Sequence, residues 1–198
     1  MESIIISADD IKKTLPGYNP ARSDLVHRQS TKIADKIFLK TLKENADYKK
    51  VILLSGGSAS GKTEYVYTFL TDEKTIIMDG TLPSEEGVKI KIKAIEKYGK
   101  KAEVHAIIPD DLRRSYVAFL GRERKYNDIY FYLTHSNSRQ TLSFVAKNYP
   151  QIKLKLIESS YKNNKLNFTE IQFTKKKEEL DYLLKIQYNE SEIKKIVL

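Results

Sequence analysis

Apolar residues along this chain gather into short dense runs, separated by longer stretches in which they recur every three or four positions. Ile4 to Ile6, Val51 to Leu54, Ile76 to Met78, Val104 to Ile108 and Ile152 to Ile157 are runs short enough for strands and apolar enough to be covered on both faces. Between them the period lengthens. Leu25, Ile33, Ile37 and Leu42 lie near helical spacing after the loop LPGYNPARSD, whose Ser23 and Asp24 are capping candidates. A second helix follows Val51 to Leu54 and ends near Thr71. The stretch VKIKIKAIEKYG fits either period, since Val88, Ile90 and Ile92 alternate while Val88, Ile92 and Ile95 follow a helix. Its length, the stop at Gly99 and the need for a crossover between parallel strands favour the helix. Asp110 or Asp111 then caps a helix carrying Arg113, Arg114, Arg122 and Arg124, and Arg139 stands at the start of the next. LNFTEIQF and a tail with Leu180, Leu183, Leu184 and Ile193 are expected to pack on the sheet.

Strands alternating with helices predict an α/β fold with a five-stranded parallel sheet. Its length of 198 residues suits one domain. The absence of cysteine excludes disulfides and thiolate metal sites, and the three histidines are spaced unlike a metal set. The first ten residues lack the apolar run of a signal peptide, and no segment reaches membrane-spanning length, so a cytoplasmic protein without a membrane partner is expected. The net charge of +9 is concentrated: residues 89 to 125 hold eleven Lys and Arg against five Asp and Glu. Such a region attracts anions, whether nucleotide phosphates, a sugar-nucleotide diphosphate or a nucleic-acid backbone.

The chemistry centres on VILLSGGSASGKTEY. A buried strand, a glycine-rich turn and Gly61-Lys62-Thr63 match the loop that wraps nucleotide phosphates with its backbone N–H groups. Gly56, Gly57, Ser58, Ala59, Ser60, Gly61, Lys62, Thr63 and Glu64 are the candidate ATP-binding residues. In such a loop the lysine meets the β- and γ-phosphates, and the Thr63 hydroxyl holds Mg²⁺. Two acids follow strands in the same manner: Asp9 after Ile4 to Ile6, with Asp10 beside it, and Asp79, with Thr81, after Ile76 to Met78. Open parallel sheets bind ligands beyond the carboxyl ends of their strands, which brings these acids toward the phosphate loop. The late arginines suit a lid that folds over transferring phosphate.

These residues resemble the zeta toxin group of phosphate-loop kinases. IIMDGTLPSEEG is similar to the group's acid-Gly-Thr turn, DDLRRSYVAFLGRERK to its lid helix, and IIISADDIKKTLPGYNPARSD to its base module. The resemblance implies a three-layer sandwich with a helical lid, ATP and Mg²⁺ as cofactors, and transfer of the γ-phosphate to a hydroxyl of a sugar nucleotide such as UDP-N-acetylglucosamine. It implies Asp9 as catalytic base, Lys62, Arg122 and Arg139 as catalytic cations, Asp79 and Thr81 as acceptor-binding residues, and an antitoxin as a partner. The group's arginine after the acid-Gly-Thr turn is replaced by Pro83. Within residues 1–198 the resemblance divides the chain into a base module at 1–48, the phosphate loop and acceptor strands at 49–109, the lid at 110–150, and the last strand with the C-terminal elements at 151–198. The base module here precedes the phosphate loop, the reverse of the group's order. An RNA-directed kinase and a non-catalytic nucleotide switch are the alternatives, the first favoured by the charge. For Asp9 to face Lys62 despite this order, Ile4 to Ile6 must lie at a sheet edge, next to Ile76 to Met78 and then Val51 to Leu54, with the strands at Val104 and Ile152 beyond.

Overall fold

The computed structural model describes residues 2–163 and 165–198. In chain order it contains β1 (Ile4–Ser7), α1 (Ala8–Lys13), a 3₁₀ segment (Pro20–Val26), α2 (His27–Glu44), β2 (Lys50–Ser55), α3 (Lys62–Phe69), β3 (Thr75–Asp79) and α4 (Glu85–Lys97). After these come β4 (Lys101–Pro109), α5 (Leu112–Leu120), α6 (Asp128–Asn148), β5 (Lys153–Lys162), β6 (Lys165–Ile171), α7 (Lys176–Lys185) and α8 (Glu190–Val197). The strands form one sheet in the order β1-β3-β2-β4-β5-β6. The first five are parallel, and β6 returns antiparallel to β5.

The predicted order of the five parallel strands is the observed one, but the sheet has six strands. LNFTEIQF supplies most of the sixth instead of packing against a face. Its burial alternates between half-buried and exposed positions, with Lys165 and Glu170 outward, the composition of an edge strand in contact with water.

The strand interiors are apolar on both sides because helices cover both sides. Val51, Leu53, Ile76, Val104 and Leu156 face a core shared with α2, α4, α6 and α7; Ile52, Leu54, Ile77, Ile107 and Ile157 face α3. Burying one such side chain contributes roughly 1.5–3 kcal/mol. On α2 the buried residues Ala34, Phe38 and Leu42 recur every fourth position and make the stripe that packs against the sheet. On α4, Val88, Ile92 and Ile95 are fully buried while Ile90 is 55% exposed, which shows why the helical period governs this stretch. Ser84 caps α4 by accepting from Gly87 N at 3.1 Å, and Asp111 caps α5.

Three expectations are corrected. Neither Ser23 nor Asp24 caps α2, which begins at His27 after the 3₁₀ segment without a side-chain cap. α5 ends at Leu120 with Gly121 as its C-cap, so Arg122 and Arg124 lie on the connection to α6. Arg139 stands in the middle of α6, and that helix is no detached lid: Phe131, Leu142, Val145 and Ala146 are buried in the body of the molecule. Among the described residues, no helix is long and apolar enough to cross a membrane.

Candidate active site

Strand order places three carboxyl ends side by side. Ser7 is in register with Asp79, Met78 with Leu53, and the chain leaving β2 turns directly into the glycine-rich loop. A cavity of about 170 Å³ opens on this edge. Asp9, Ser58 to Glu64, Asp79, Thr81 and Arg122 line it, as do the unpredicted Arg124, Tyr126, Tyr130 and His27. Gly56 and Gly57 lie beneath the loop, and their carbonyls accept from Lys62 Nζ at 2.9 and 2.8 Å. Arg139 does not line this cavity: its position in α6 holds it behind the loop, 4% exposed.

The loop conformation rests on glycine at two points. Gly56 has φ 137°, and a Cβ there would stand 2.5 Å from the Ile107 carbonyl oxygen. A Cβ on Gly57 would stand 2.2 Å from Cγ of the His135 ring, far inside van der Waals contact. α6 therefore braces the loop from behind. His135 Nε2 donates to the Ser58 carbonyl at 2.8 Å, and the Thr134 hydroxyl accepts from Ser58 N at 3.1 Å. From β5, the Ser159 hydroxyl donates to the Ser60 carbonyl at 2.8 Å. Lys62 opens α3 and projects with Thr63 from its first turn, where unpaired N–H groups and the helix dipole favour an anion.

Asp9 stands in the first turn of α1, which Ser7 caps through Asp10 N at 3.3 Å. Its carboxylate is held by Lys12 at 2.8 Å and by Arg124 at 2.6 Å. Lys12 is wholly buried, hydrogen-bonded also to the Tyr126 hydroxyl and set 4.9 Å from that ring's centre. Burial alone would raise the Asp9 pKa; the two cations outweigh it and hold it at about 2. Asp79 has the opposite balance. Burial dominates there, opposed by Lys62 and reinforced by the Asp9 charge, and pushes its pKa to about 6. Burial also brings Lys62 down to about 8 and lowers Arg122, which forms no ion pair among the described residues. Arg124 is raised: burial works against its charge, and Asp9 overrides it.

An aromatic wall closes one side. Tyr126 and Tyr130 stack at 4.4 Å with 14° between planes, and His27 meets both edge-on. Burial lowers the His27 pKa, and its Nδ1 has no partner among the described residues. Lys91 of α4 pairs with Asp35 of α2 at 2.7 Å, and both line the cavity. The sequence marks Arg124 only as one of several late arginines on a lid helix and gives no site role to His27, Tyr126, Tyr130, Lys91 or Asp35. Arg124 was thus within reach of the sequence; nothing marked His27 or the tyrosines.

No set of three or more His, Cys, Asp or Glu side chains among the described residues is grouped to hold a metal by itself. The cavity instead combines the cations Lys62 and Arg122 and helix N–H groups with two acids of different character. That combination can bind a polyphosphate and orient a hydroxyl against it.

Comparison with family models and with curated protein sequences finds no match. Among solved structures the chain is similar to one in the crystal structure of the AvrRxo1-ORF1:-ORF2 complex, native form. The two share 15% sequence identity over 86% of this chain and 73% of the other, with a TM-score of 0.52, a likeness of α/β fold.

Proposed function

We propose that this chain is an ATP-dependent phosphotransferase of the zeta toxin type, acting on a hydroxyl of a sugar nucleotide such as UDP-N-acetylglucosamine. One observation carries the reading: Asp9, Lys62, Thr63, Asp79 and Arg122, drawn from separate stretches of chain, line a single cavity. Residues 1–48 would supply the base, 49–109 the nucleotide and acceptor contacts, and 121–127 the arginines over the cavity.

Lys62 and the N–H groups of the loop and α3 hold the ATP phosphates. Mg²⁺ would enter with the nucleotide, resting on the Thr63 hydroxyl and phosphate oxygens, and would neutralise charge on the transferring group. Arg122, without an ion pair among the described residues, turns its charge to the same group. Asp9 accepts the acceptor's hydroxyl hydrogen bond and finally its proton. A carboxylate held near pKa 2 is a weak base, which suits transfer through a loose transition state, where the base chiefly orients the hydroxyl. Asp79 and Thr81 hold the acceptor. Arg124, paired with Asp9 and lining the cavity, takes the place the resemblance gave to Arg139. An antitoxin covering the site belongs to the same proposal; the neighbouring structure is itself a complex of ORF1 with ORF2.

Labelled ATP offered with a panel of UDP-sugars and oligonucleotides tests this. Asp9→Asn should lower transfer by roughly a hundred- to ten-thousand-fold while ATP affinity, by calorimetry, stays at the parental value. Parental transfer by Asp9→Asn would remove it from the base role, and label on oligonucleotides alone would turn the reading to an RNA-directed kinase.

A further inference from the structure

A second cleft, of about 310 Å³, lies behind the phosphate loop, between the start of α5, Glu158 of β5 and the C-terminal Tyr182, Ile186 and Tyr188. Arg139 forms part of its wall with only 4% of its surface exposed. One terminal nitrogen donates to His135 Nδ1 at 3.0 Å and to the His135 carbonyl at 3.1 Å. The Tyr188 ring centre lies 5.9 Å from the guanidinium carbon. The partners are an imidazole, a carbonyl and an aromatic face; none is an anion. The Nε–H has no acceptor at all among the described residues. A guanidinium so far from water normally meets a carboxylate or phosphate, because its desolvation is otherwise uncompensated.

We propose that this cleft binds a small monocarboxylate, whose oxygens accept from the Arg139 guanidinium. The charge of the surroundings selects the class. Asp110, Asp111 and Glu158 line the same cleft, against one further cation, Arg113, whose Nε donates to the Ile196 carbonyl at 2.5 Å. Asp110 is paired with Arg114 and Asp111 caps α5, which leaves Glu158 as the uncommitted negative charge among these lining residues. A phosphate or polycarboxylate meets more repulsion there than a single carboxylate does. Tyr182, Ile186 and Tyr188 supply walls for a short apolar tail. The site is also wired to the phosphate loop. Since Arg139 donates to His135 Nδ1, the ring's proton resides on Nε2 and reaches the Ser58 carbonyl at 2.8 Å, so a ligand that draws on Arg139 acts one residue away from the loop. This gives the cleft the position of an effector site, and it stands whether or not the chain is a kinase.

Sodium propionate titrated into the ¹⁵N-labelled chain at constant ionic strength tests the proposal, read at the arginine Nε–H resonances. The Arg139 signal, identified by its loss in Arg139→Lys, should move saturably, and the amides of Gly57 and Ser58 should move with the same midpoint. Inorganic phosphate at equal concentration should leave that Nε–H signal in place. The shift should persist in Lys62→Ala, which separates this cleft from the phosphate loop, and Glu158→Gln should tighten propionate binding by about threefold or more. Movement that merely tracks a chloride control, a shift abolished by Lys62→Ala, or unchanged affinity in Glu158→Gln would overturn it.

Discussion

Asp9 and Asp79 are side by side on one sheet edge, yet their carboxyl groups are pushed in opposite directions, because Asp9 has two close cations and Asp79 is mainly buried. The difference is measurable as stability. Asp79 titrates at about 6 in the folded chain, above its ordinary 3.8, so the folded state holds the extra proton and loses stability as pH rises through that window. Asp79→Asn should therefore gain on the parent by about 2 kcal/mol between pH 4 and pH 8, after allowance for solvent screening. Asp9 behaves in the reverse sense: its contribution is complete above about 3.8 and is lost as pH falls toward 2. Urea melts of parent and Asp79→Asn across that pH range would show it, and a pH-independent difference would refute the burial account. A companion prediction concerns Lys62: with that cation replaced in Lys62→Ala, ATP affinity measured by calorimetry should fall severely, and unchanged affinity in the folded variant would sink the phosphate-loop assignment. At this scale the sequence spoke through residues whose chemistry needs a fixed local setting. A lysine after a glycine turn, or an acid after an apolar run, is placed by its own strand. Which arginine enters the cavity depends on where α5 stops and how 121–127 crosses the edge, and no periodicity encodes that, so Arg124 was not singled out and Arg139 was placed where the structure does not put it.

Elements carry a different kind of information. The glycine-rich loop was legible because glycine spacing is a backbone requirement, but its support was not: α6 meets the loop through Thr134 and His135, and Ser136 and Ser138 beside them are buried too. Buried Ser, Thr and His read in a sequence as surface, since their burial is compensated by partners distant in the chain, 76 residues away for Thr134 and Ser58. The brace makes Gly57→Ala a sharp test. The added methyl comes within 2.2–2.3 Å of three His135 ring atoms, so either the ring or the loop must move. Overpacking of this kind costs roughly 1–3 kcal/mol, and denaturant melts should show that loss together with weaker nucleotide binding. A Gly57→Ala protein of parental stability would mean that the loop is not clamped on α6. The missed sixth strand has a similar origin: β6 is an edge strand held through its pairing with β5, and with no fully buried position it carries no apolar run of its own.

At the scale of the whole molecule, the order of modules along the chain and their order in space come apart. β1 precedes β2 in sequence but lies two places away, with β3 inserted between them. The chain thereby reaches the strand order expected from the sequence although the stretch that resembles the base module comes first. The contacts at the module ends explain how little separates the two orders. Where α3 ends, Ser3 N donates to the Thr71 carbonyl at 3.0 Å, and the Ser3 hydroxyl donates to the Leu70 carbonyl at 2.5 Å. Where β3 begins, Lys74 pairs with Asp47 at 2.5 Å and lies 5.5 Å from the centre of the Tyr48 ring. The end of the segment 49–72 thus abuts the start of the chain at Ser3, and the end of the segment 3–48 abuts the start of β3. A rearranged chain running 49–72, 3–48, 73–198, with linkers of about three Gly or Ser residues at the two new joints, spans only these short gaps. All strand pairings and both helical layers are kept, so it should fold cooperatively with the parental circular dichroism spectrum. Its melting temperature should lie within about 5 °C of the parent, since a difference of about 1 kcal/mol in loop closure moves a chain of this size by only a few degrees. If the rearranged chain fails to fold, the segment from β1 to α2 is tied to β2 and the glycine-rich loop by more than the pairings seen in the sheet, and exchange of whole modules is excluded as the relation between this chain and the group it resembles.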